Sequence, residues 1–181
     1  MTQRVALVTG GTGTIGTEIC RQLGAAGHRV VATCLPAEAD AAKAWQAEQK
    51  QAGHDIAVVP CDLTDFEATA AAVKTAEQQV GPIDVLVNVA GITRDASLRK
   101  MTPEQWHAVI QSNLDSVFNA TRNVIEGMLD RGFGRVIAWW RRASPRRQMP
   151  PRPGRPGSSR QVMTSRLCPV TSLTSRRQRP R

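Results

Sequence analysis

The feature that most constrains this chain is a regular alternation of short apolar runs with amphipathic stretches over its first 138 residues. The apolar runs predict strands at 5–8, 29–34, 56–59, 83–87 and 135–138. The amphipathic stretches predict helices at about 15–23, 37–52, 65–79 and 103–129. Alternating strands and helices build parallel βαβ units, and continuously apolar strands indicate a sheet covered on both faces. The predicted fold class is α/β, an incomplete Rossmann-type doubly wound parallel sheet of about five strands.

Composition divides the chain after residue 138. Residues 1–138 hold 12 Lys and Arg against 15 Asp and Glu, whereas residues 139–181 hold 12 Arg with no Lys and no acidic residue. The second segment also carries 7 of the 11 prolines. Proline interrupts helices and central strands. We therefore predict one folded region over 1–138 and a disordered basic tail over 139–181.

Cysteine spacing and hydropathy argue against several classes of protein. Cys20, Cys34, Cys61 and Cys168 form no CxxC pair and accompany no histidine cluster, so they predict buried reduced thiols rather than a metal site or a disulfide framework. No stretch reaches the roughly 20 apolar residues of a membrane span, and the N-terminus runs straight into a strand. The sequence predicts a cytoplasmic protein with no membrane partner and no metal.

A glycine-rich turn follows the first predicted strand. It reads Thr9-Gly-Gly-Thr-Gly-Thr-Ile-Gly16 and contains the spacing Gly11-x-Gly13-x-x-Gly16. Glycine permits positive φ and close approach of the backbone, and the N-terminus of a helix attracts phosphate charge. Between a strand and a helix, this pattern predicts a pyrophosphate site rather than a plain tight turn.

The ends of two further strands carry polar or glycine-containing motifs. Asp62-Leu63 follows the third strand, and Asn88-Val-Ala-Gly91 follows the fourth. Ligands of open α/β sheets bind at the carboxyl ends of the strands, where these residues fall. Asp65, by contrast, is predicted to cap the next helix. Together with the glycine turn, the strand ends predict a dinucleotide site.

These motifs resemble those of the short-chain dehydrogenases/reductases, and the resemblance extends to Asn113-Leu114. Within that family, further segments are similar to the acetoacetyl-CoA reductases of polyhydroxybutyrate synthesis. Those segments are 91–95 (Gly-Ile-Thr-Arg-Asp), 99–102, Trp106, Gly127-Met128 and 131–135. The resemblance spans residues 1 to about 138. It implies that residues 1–138 are the dinucleotide-binding half-domain of such an enzyme.

The resemblance implies a role for each matching residue. Asn113 matches the family's catalytic asparagine, which supports a proton-relay water from a distorted helix; from the residues alone, the alternative is a helix asparagine bonded to backbone. Asp95 either borders a substrate pocket or is a solvated loop carboxylate. The cofactor-binding residues implied are Gly10, Thr12, Gly13, Thr14, Ile15, Gly16, Asp62, Leu63, Asn88, Ala90 and Gly91.

Three positions depart from the family's pattern. Thr14 stands where the family has a glycine, and Val89 stands where it has a second asparagine. The second strand ends at Cys34, where an NAD enzyme places a carboxylate for the ribose 2′-hydroxyl. The absence of that carboxylate favours NADP(H) over NAD(H). Glu38 and Asp40 follow nearby, however, and offer no cation to a 2′-phosphate.

The remaining catalytic residues of the family are absent. In the family, the strand at 135 leads to a serine and then to a Tyr-x-x-x-Lys helix; by spacing these fall at Arg141, Gly154 and Ser158, and the chain contains no tyrosine. The tyrosine protonates the reduced carbonyl oxygen, and losing one member of a catalytic set costs nearly as much as losing several. Asn113 is the only surviving member, and we predict that the chain as written is catalytically inactive.

For the intact parent, the resemblance implies a reductase that transfers hydride from NADPH to a 3-oxoacyl thioester. The expected reaction converts acetoacetyl-CoA to 3-hydroxybutyryl-CoA, and the expected assembly is a homotetramer. One alternative parent is a 3-oxoacyl-carrier-protein reductase, which shares the segment 91–95. Another is a non-catalytic dinucleotide fold with a polyanion-binding tail.

The tail at 139–181 is rich in Arg, Pro and Ser, as expected of a GC-rich coding region read out of frame. The change of composition falls within a predicted strand, where domain boundaries do not occur. We therefore hypothesise a frameshift after Ala138. The alternative is an arginine-rich segment that binds RNA or DNA, with Trp139 and Trp140 as stacking groups. Nonspecific polyanion binding is expected under either hypothesis.

Overall fold

The computed structural model describes residues 3–138, which form five strands and five α-helices. The strands are β1 (Val5–Thr9), β2 (Arg29–Cys34), β3 (Ile56–Pro60), β4 (Ile83–Asn88) and β5 (Arg135–Ala138). The helices are α1 (Thr14–Ala25), α2 (Ala39–Gln51), α3 (Phe66–Val80), α4 (Pro103–Ile110) and α5 (Ser116–Asp130). A 3₁₀ turn (Pro36–Glu38) precedes α2, and a π-helical turn (Gln111–Asp115) joins α4 to α5.

The five strands are parallel and lie in the order β3-β2-β1-β4-β5. Leu7 of β1 pairs with Val31 on one side and with Leu86 on the other. The order reverses beside β1, because the chain crosses from β3 at one edge to β4 on the other side of β1. Such a reversal opens a crevice at the carboxyl ends of the strands. The predicted doubly wound parallel sheet is confirmed.

Two apolar clusters cover the two faces of the sheet. On one face, Leu7 and Leu86 pack with Val124 of α5 and with residues of α3. On the other face, Val8 and Val30 pack with residues of α1 and α2. Burying each such side chain contributes about 1.5–3 kcal/mol, so the continuously apolar strands are explained by two covered faces.

Local signals define the helix ends nearest the crevice. The Asp65 side chain accepts a hydrogen bond from Ala68 N at 2.8 Å, which confirms the predicted cap of α3. Helix α4 begins with a capping box in which Thr102 and Gln105 each bond the other's backbone N–H, and Pro103 occupies the first turn.

Two predicted helices differ from those observed. The stretch at 37–52 starts as the 3₁₀ turn and becomes α-helical only at Ala39. The single helix predicted over 103–129 is interrupted by the π-helical turn at 111–115. A π-turn widens the helix by one residue in one turn, so the apolar periodicity on either side hardly changes and does not reveal it.

Within the described residues, β5 is an edge strand with β4 as its one neighbour in the sheet. The Ile137 side chain is 44% exposed, so this apolar edge is partly open to solvent. Cys20, Cys34 and Cys61 are buried and free, as predicted. Across residues 3–138, no helix has the length and apolar character needed to traverse a bilayer.

Several predictions concern residues outside the described range. These predictions concern the basic tail at 139–181, the paired tryptophans at its start, the thiol of Cys168 and the positions of the missing serine, tyrosine and lysine.

Candidate functional site

A cavity of about 1010 Å³ opens at the carboxyl ends of β1, β2 and β4. It is bounded by the glycine turn, the loops after β3 and β4, and the π-helical turn. Every residue predicted from the sequence to take part in binding or catalysis lines it: Gly10, Thr12, Gly13, Thr14, Ile15, Gly16, Asp62, Leu63, Asn88, Ala90, Gly91, Asp95 and Asn113. Residues far apart in the chain therefore form one continuous site.

The glycine turn packs closely against its own backbone and against the backbone of the loop after β4. Gly10 has φ +62°, and a Cβ there would lie 3.0 Å from Ala90 Cα. A Cβ on Gly16 would lie 2.6 Å from Gly11 Cα. Gly13 differs, because a Cβ there would meet only Gly10 O, at an ordinary 3.4 Å. The missing side chain of Gly13 thus leaves space beside the cavity, which suits a ligand approaching the backbone.

The N-terminus of α1 faces the same space. Gly13 is its N-cap residue, with no side-chain cap, and the first turn holds no acidic residue. The first N–H groups of a helix lack intrahelical partners and carry positive partial charge. This end of the cavity therefore suits a phosphate group.

The Thr33 residue on β2 ties the glycine turn to the sheet. Its hydroxyl oxygen accepts a hydrogen bond from Gly10 N at 3.1 Å, and its carbonyl oxygen accepts one from Gly11 N at 3.0 Å. Thr33 is buried and lines the cavity. It was not predicted as a site residue; its signal is a polar side chain near the end of an otherwise apolar strand.

The loop after β3 is held in place from two sides. The Asp62 carboxylate accepts hydrogen bonds from Thr64 N at 3.0 Å and from Thr64 Oγ1 at 2.7 Å, which fixes its orientation. The Leu63 carbonyl oxygen accepts from Asn119 Nδ2 of α5 at 2.9 Å. Asp62 and Leu63 are thereby positioned at the cavity by α5 as well as by their own strand.

The loop after β4 depends on a buried hydroxyl. Thr9 Oγ1 accepts hydrogen bonds from Val89 N at 3.0 Å and Ala90 N at 3.2 Å, and Thr9 is 1% exposed. Neighbouring Asn88 is 3% exposed, and its Nδ2 has no hydrogen-bond partner among the residues that the structure describes. An unpaired buried donor is costly, so an amide lining a cavity is suited to an acceptor on a ligand.

Asn113 lies on the π-helical turn and bonds a distant loop. Its Oδ1 accepts from Ile92 N at 2.7 Å, and its Nδ2 donates to Ile92 O at 2.9 Å. The side chain is bonded to backbone, but to the loop after β4 rather than to its own helix. The π-turn interrupts the regular α-helical ladder at the same place, as occurs at many functional sites. The catalytic role of Asn113 stays a prediction.

Charged side chains along the cavity are mostly acidic. Within residues 3–138, Glu38, Asp62 and Asp95 line it together with one cationic side chain, Arg94. Burial raises the pKa of the nearby Cys34 thiol, and the Glu38 carboxylate raises it further. The described residues hold no group of three or more His, Cys, Asp or Glu arranged to bind a metal ion.

Comparison with known proteins finds similarity over this same part of the chain. A model of the short chain dehydrogenase family matches residues 4–140. An acetoacetyl-CoA reductase of Allochromatium vinosum is 54% identical over 134 residues, which are 74% of this chain and 54% of that relative. An acetoacetyl-CoA reductase of Cupriavidus necator is 49% identical over 137 residues, 76% of this chain and 55% of that relative. The chain thus spans about half the length of the curated relatives it matches.

Solved structures are similar over the same region. A crystal structure of an actinorhodin polyketide ketoreductase variant with NADPH has TM-score 0.71 and 36% identity, and the match covers 75% of this chain and 52% of that one. A gluconate 5-dehydrogenase from Burkholderia cenocepacia in complex with NADP and tartrate has TM-score 0.69 and 35% identity, with 76% and 53% covered.

Proposed function

Because this chain belongs to the short-chain dehydrogenase family, we propose that residues 1–138 are the dinucleotide-binding half-domain of an NADPH-dependent reductase. One observation carries the proposal: a single cavity joins the uncapped N-terminus of α1 to the unpaired, buried amide of Asn88. A phosphate-binding end and a polar end within one cavity suit a dinucleotide.

The residues present fit the parts of that cofactor. The turn from Gly10 to Gly16 would hold the pyrophosphate, and Asp62 with Leu63 would contact the adenine. Asn88, Ala90 and Gly91 would hold the nicotinamide ribose, where the Nδ2 of Asn88, which has no partner among the described residues, would find an acceptor. When bound, the cofactor supplies the hydride; these residues bind and orient it.

NADP(H) is proposed in preference to NAD(H). The strand end at Cys34 lacks a carboxylate, which removes one acceptor for a ribose 2′-hydroxyl. The two similar solved structures named above are complexes with NADPH and with NADP.

Asn113 is proposed to support a proton-relay water. Its side-chain amide already forms hydrogen bonds with the backbone N–H and the carbonyl oxygen of Ile92. Its main-chain carbonyl, on the irregular turn, is therefore the group we expect to bind the water. The side chain would act by holding the loop after β4 in register with that turn.

The substrate proposed for the intact parent is a 3-oxoacyl thioester, with acetoacetyl-CoA reduced to 3-hydroxybutyryl-CoA in polyhydroxybutyrate synthesis. Similarity to two acetoacetyl-CoA reductases supports it. Asp95 would border the thioester. A 3-oxoacyl-carrier-protein reductase is the second candidate, because segment 91–95 resembles those enzymes too. A homotetramer and a cytoplasmic location stay predictions.

A saturation experiment tests cofactor binding. Trp45 and Trp106 line the cavity, so reduced nicotinamide bound there should quench tryptophan fluorescence by energy transfer. We expect the full chain to bind one NADPH, measured in about 0.3 M NaCl to suppress contacts of the Arg-rich segment. Gly13→Val should weaken binding at least tenfold, an effect on the order of 1.4 kcal/mol, by filling space beside the cavity. A folded wild-type chain that binds no dinucleotide would overturn the proposal.

We also propose that the 181 residues bind the cofactor without reducing substrate, and that residues 139–181 result from a shifted reading frame. The support is the absence of tyrosine and the change to 12 Arg with no acidic residue. The test is to resequence the DNA from codon 134 onward and translate all three frames. We expect another frame to supply a serine near position 141 followed by Tyr-x-x-x-Lys, and the restored protein to oxidise NADPH with acetoacetyl-CoA. A confirmed frame with no such motif elsewhere would contradict this.

A further inference from the structure

We propose that Trp45 is a positioning residue for the glycine turn, and that it acts through the hydroxyl group of Thr17. The inference rests on the proposed dinucleotide function and adds to it a side chain of α2, which lies outside the glycine motif. The indole N–H of Trp45 would then influence how tightly the cofactor phosphates are held.

A chain of polar contacts joins α2 to α1 and α1 to the glycine turn. Trp45 Nε1 on α2 donates a hydrogen bond to Thr17 Oγ1 on α1 at 3.0 Å. The same Oγ1 lies 3.5 Å from the carbonyl oxygens of Gly11 and Thr12. A hydroxyl group has one hydrogen to donate, and Trp45 occupies the acceptor side of Thr17. The Thr17 hydrogen is therefore left for the turn, and hydrogen bonds linked in this way polarise one another.

The orientation of the Gly11 carbonyl group determines where the next backbone N–H points. In a planar trans peptide, the Gly11 C=O and the Thr12 N–H point in opposite directions. The Gly11 oxygen faces α1, where it is approached by Thr17 Oγ1 and by Cys20 Sγ at 3.9 Å. The Thr12 N–H therefore points away from α1. Thr12 lines the cavity, and none of residues 3–138 accepts a hydrogen bond from its N–H, which suits a phosphate oxygen.

The Trp45 ring is half-buried and packs on the apolar cluster between the sheet and helices α1 and α2. An indole N–H that leaves water needs an acceptor, and Thr17 supplies it. The apolar part of the ring and its N–H thus have separate roles. Phenylalanine at this position would keep most of the apolar contact and lose the hydrogen bond.

A second hydrogen bond between the same two helices provides a matched control. Arg21 Nε of α1 donates to Gln49 Oε1 of α2 at 2.8 Å. Arg21 and Gln49 each lie four residues, about one helical turn, beyond Thr17 and Trp45. Neither of them lines the cavity. Arg21→Met therefore weakens the contact between α1 and α2 but leaves the Thr17 hydroxyl at the glycine turn.

The experiment measures NADPH binding to the full-length chain by calorimetry in about 0.3 M NaCl, because removing Trp45 would change a fluorescence signal. Trp45→Phe should weaken binding about threefold and Thr17→Val about fivefold. The double variant should bind about as weakly as Thr17→Val alone, whereas independent effects would multiply to about fifteenfold. Thr17→Ser, which keeps the hydroxyl group, and Arg21→Met should both stay within about twofold of wild type.

The outcomes separate this inference from the proposed function. Multiplied losses in the double variant would mean that the Trp45 ring contacts the cofactor directly. An equal loss in Arg21→Met would mean that α2 merely supports α1, and unchanged affinity in both single variants would mean that the contact has no effect on binding. Each of these results would overturn the role of Trp45 and leave dinucleotide binding intact.

Melting temperatures establish that each variant is folded before its affinity is compared. If Thr17→Val does not fold, Thr17→Ala, which also lacks the hydroxyl group, replaces it in the comparison. A folded wild-type chain that binds no NADPH would overturn the dinucleotide function, and this inference with it.

Discussion

The two ends of the cavity are built by different means. At the end formed by the glycine turn and the N-terminus of α1, which we call the phosphate end, backbone packs against backbone: a Cβ on Gly16 would lie 2.6 Å from Gly11 Cα, and one on Gly11 would lie 2.9 Å from Ala32 Cα. The shape of this end depends on glycine residues, which have no Cβ atom. A methyl group added at Gly11 or Gly16 would overlap neighbouring atoms, whereas Gly13 has room for one.

At the opposite end, side-chain hydrogen bonds join separate elements. Thr9 holds the backbone of Ala90, and Asn113 holds both backbone groups of Ile92. This end rests on β4, which is enclosed, and on β5, whose Ile137 is 44% exposed. Its shape depends on polar groups that are present, and it is sensitive to truncation of those side chains.

The largest expected difference in the free energy of unfolding is between variants in the buried strand β4 and variants in the edge strand β5. Leu86 is 0% exposed at the centre of the sheet, and Leu86→Ala should lower the free energy of unfolding by about 3 kcal/mol. Ile137→Ala should cost about 1 kcal/mol or less, because the side chain already contacts water. Urea unfolding followed by circular dichroism measures both. Equal losses would mean that β5 is as well enclosed as β4 in solution.

The next effect tests the close packing of the phosphate end, with two glycines of one helix. Gly16→Ala places a Cβ against the backbone of Gly11 and should destabilise the fold by about 2 kcal/mol. Apart from the backbone of its own helix and its chain neighbours, no atom of the described residues lies within 4 Å of the Gly24 Cβ position, so Gly24→Ala should stabilise α1 by about 0.5–1 kcal/mol. Thermal melts of the two variants should shift in opposite directions. If Gly16→Ala leaves the melting temperature unchanged, close packing is not the reason that a glycine occupies this position.

The same contrast separates the features of the site that could be predicted from the sequence from those that could not. The glycine turn and the strand ends could be predicted, because they depend on residue type at fixed local spacing. The whole predicted cofactor set lines one cavity. The roles of Thr9 and Thr33 could not be predicted, because each side chain bonds a loop that follows a different strand. Thr9 accepts from the loop after β4, and Thr33 accepts from the glycine turn after β1. The π-turn likewise left no trace in apolar periodicity; only the family resemblance, through its distorted helix, pointed to it.

An effect of similar size tests the hydrogen-bonded end. Asn113→Ala removes both bonds to Ile92 and should cost about 2 kcal/mol, at roughly 1 kcal/mol for each bond. Gln111→Ala, on the same turn at an exposed position, should change stability by less than about 0.5 kcal/mol. Urea midpoints give the comparison. If the two variants lose the same amount, the Asn113 side chain does not hold the loop.

The smallest effect comes from a thiol that links α1 to the glycine turn. Cys20 is buried, its Sγ lies 3.9 Å from Gly11 O, and burial raises its pKa from 9.0 to about 12. Its thiol ionises more readily in the unfolded chain, so its contribution to stability is full below pH 9 and falls as pH rises towards 12. At pH 10 the loss should be about 1.4 kcal/mol relative to pH 7.

Cys20→Ala isolates this contribution, since Cys34 and Cys61 remain and also have raised pKa values. The free energy of unfolding of this variant should fall less between pH 7 and 10 than that of wild type, by the same amount of about 1.4 kcal/mol. Parallel pH profiles would show that solvent reaches Cys20 in the folded protein. The phosphate end would then be less tightly closed than its glycine contacts require.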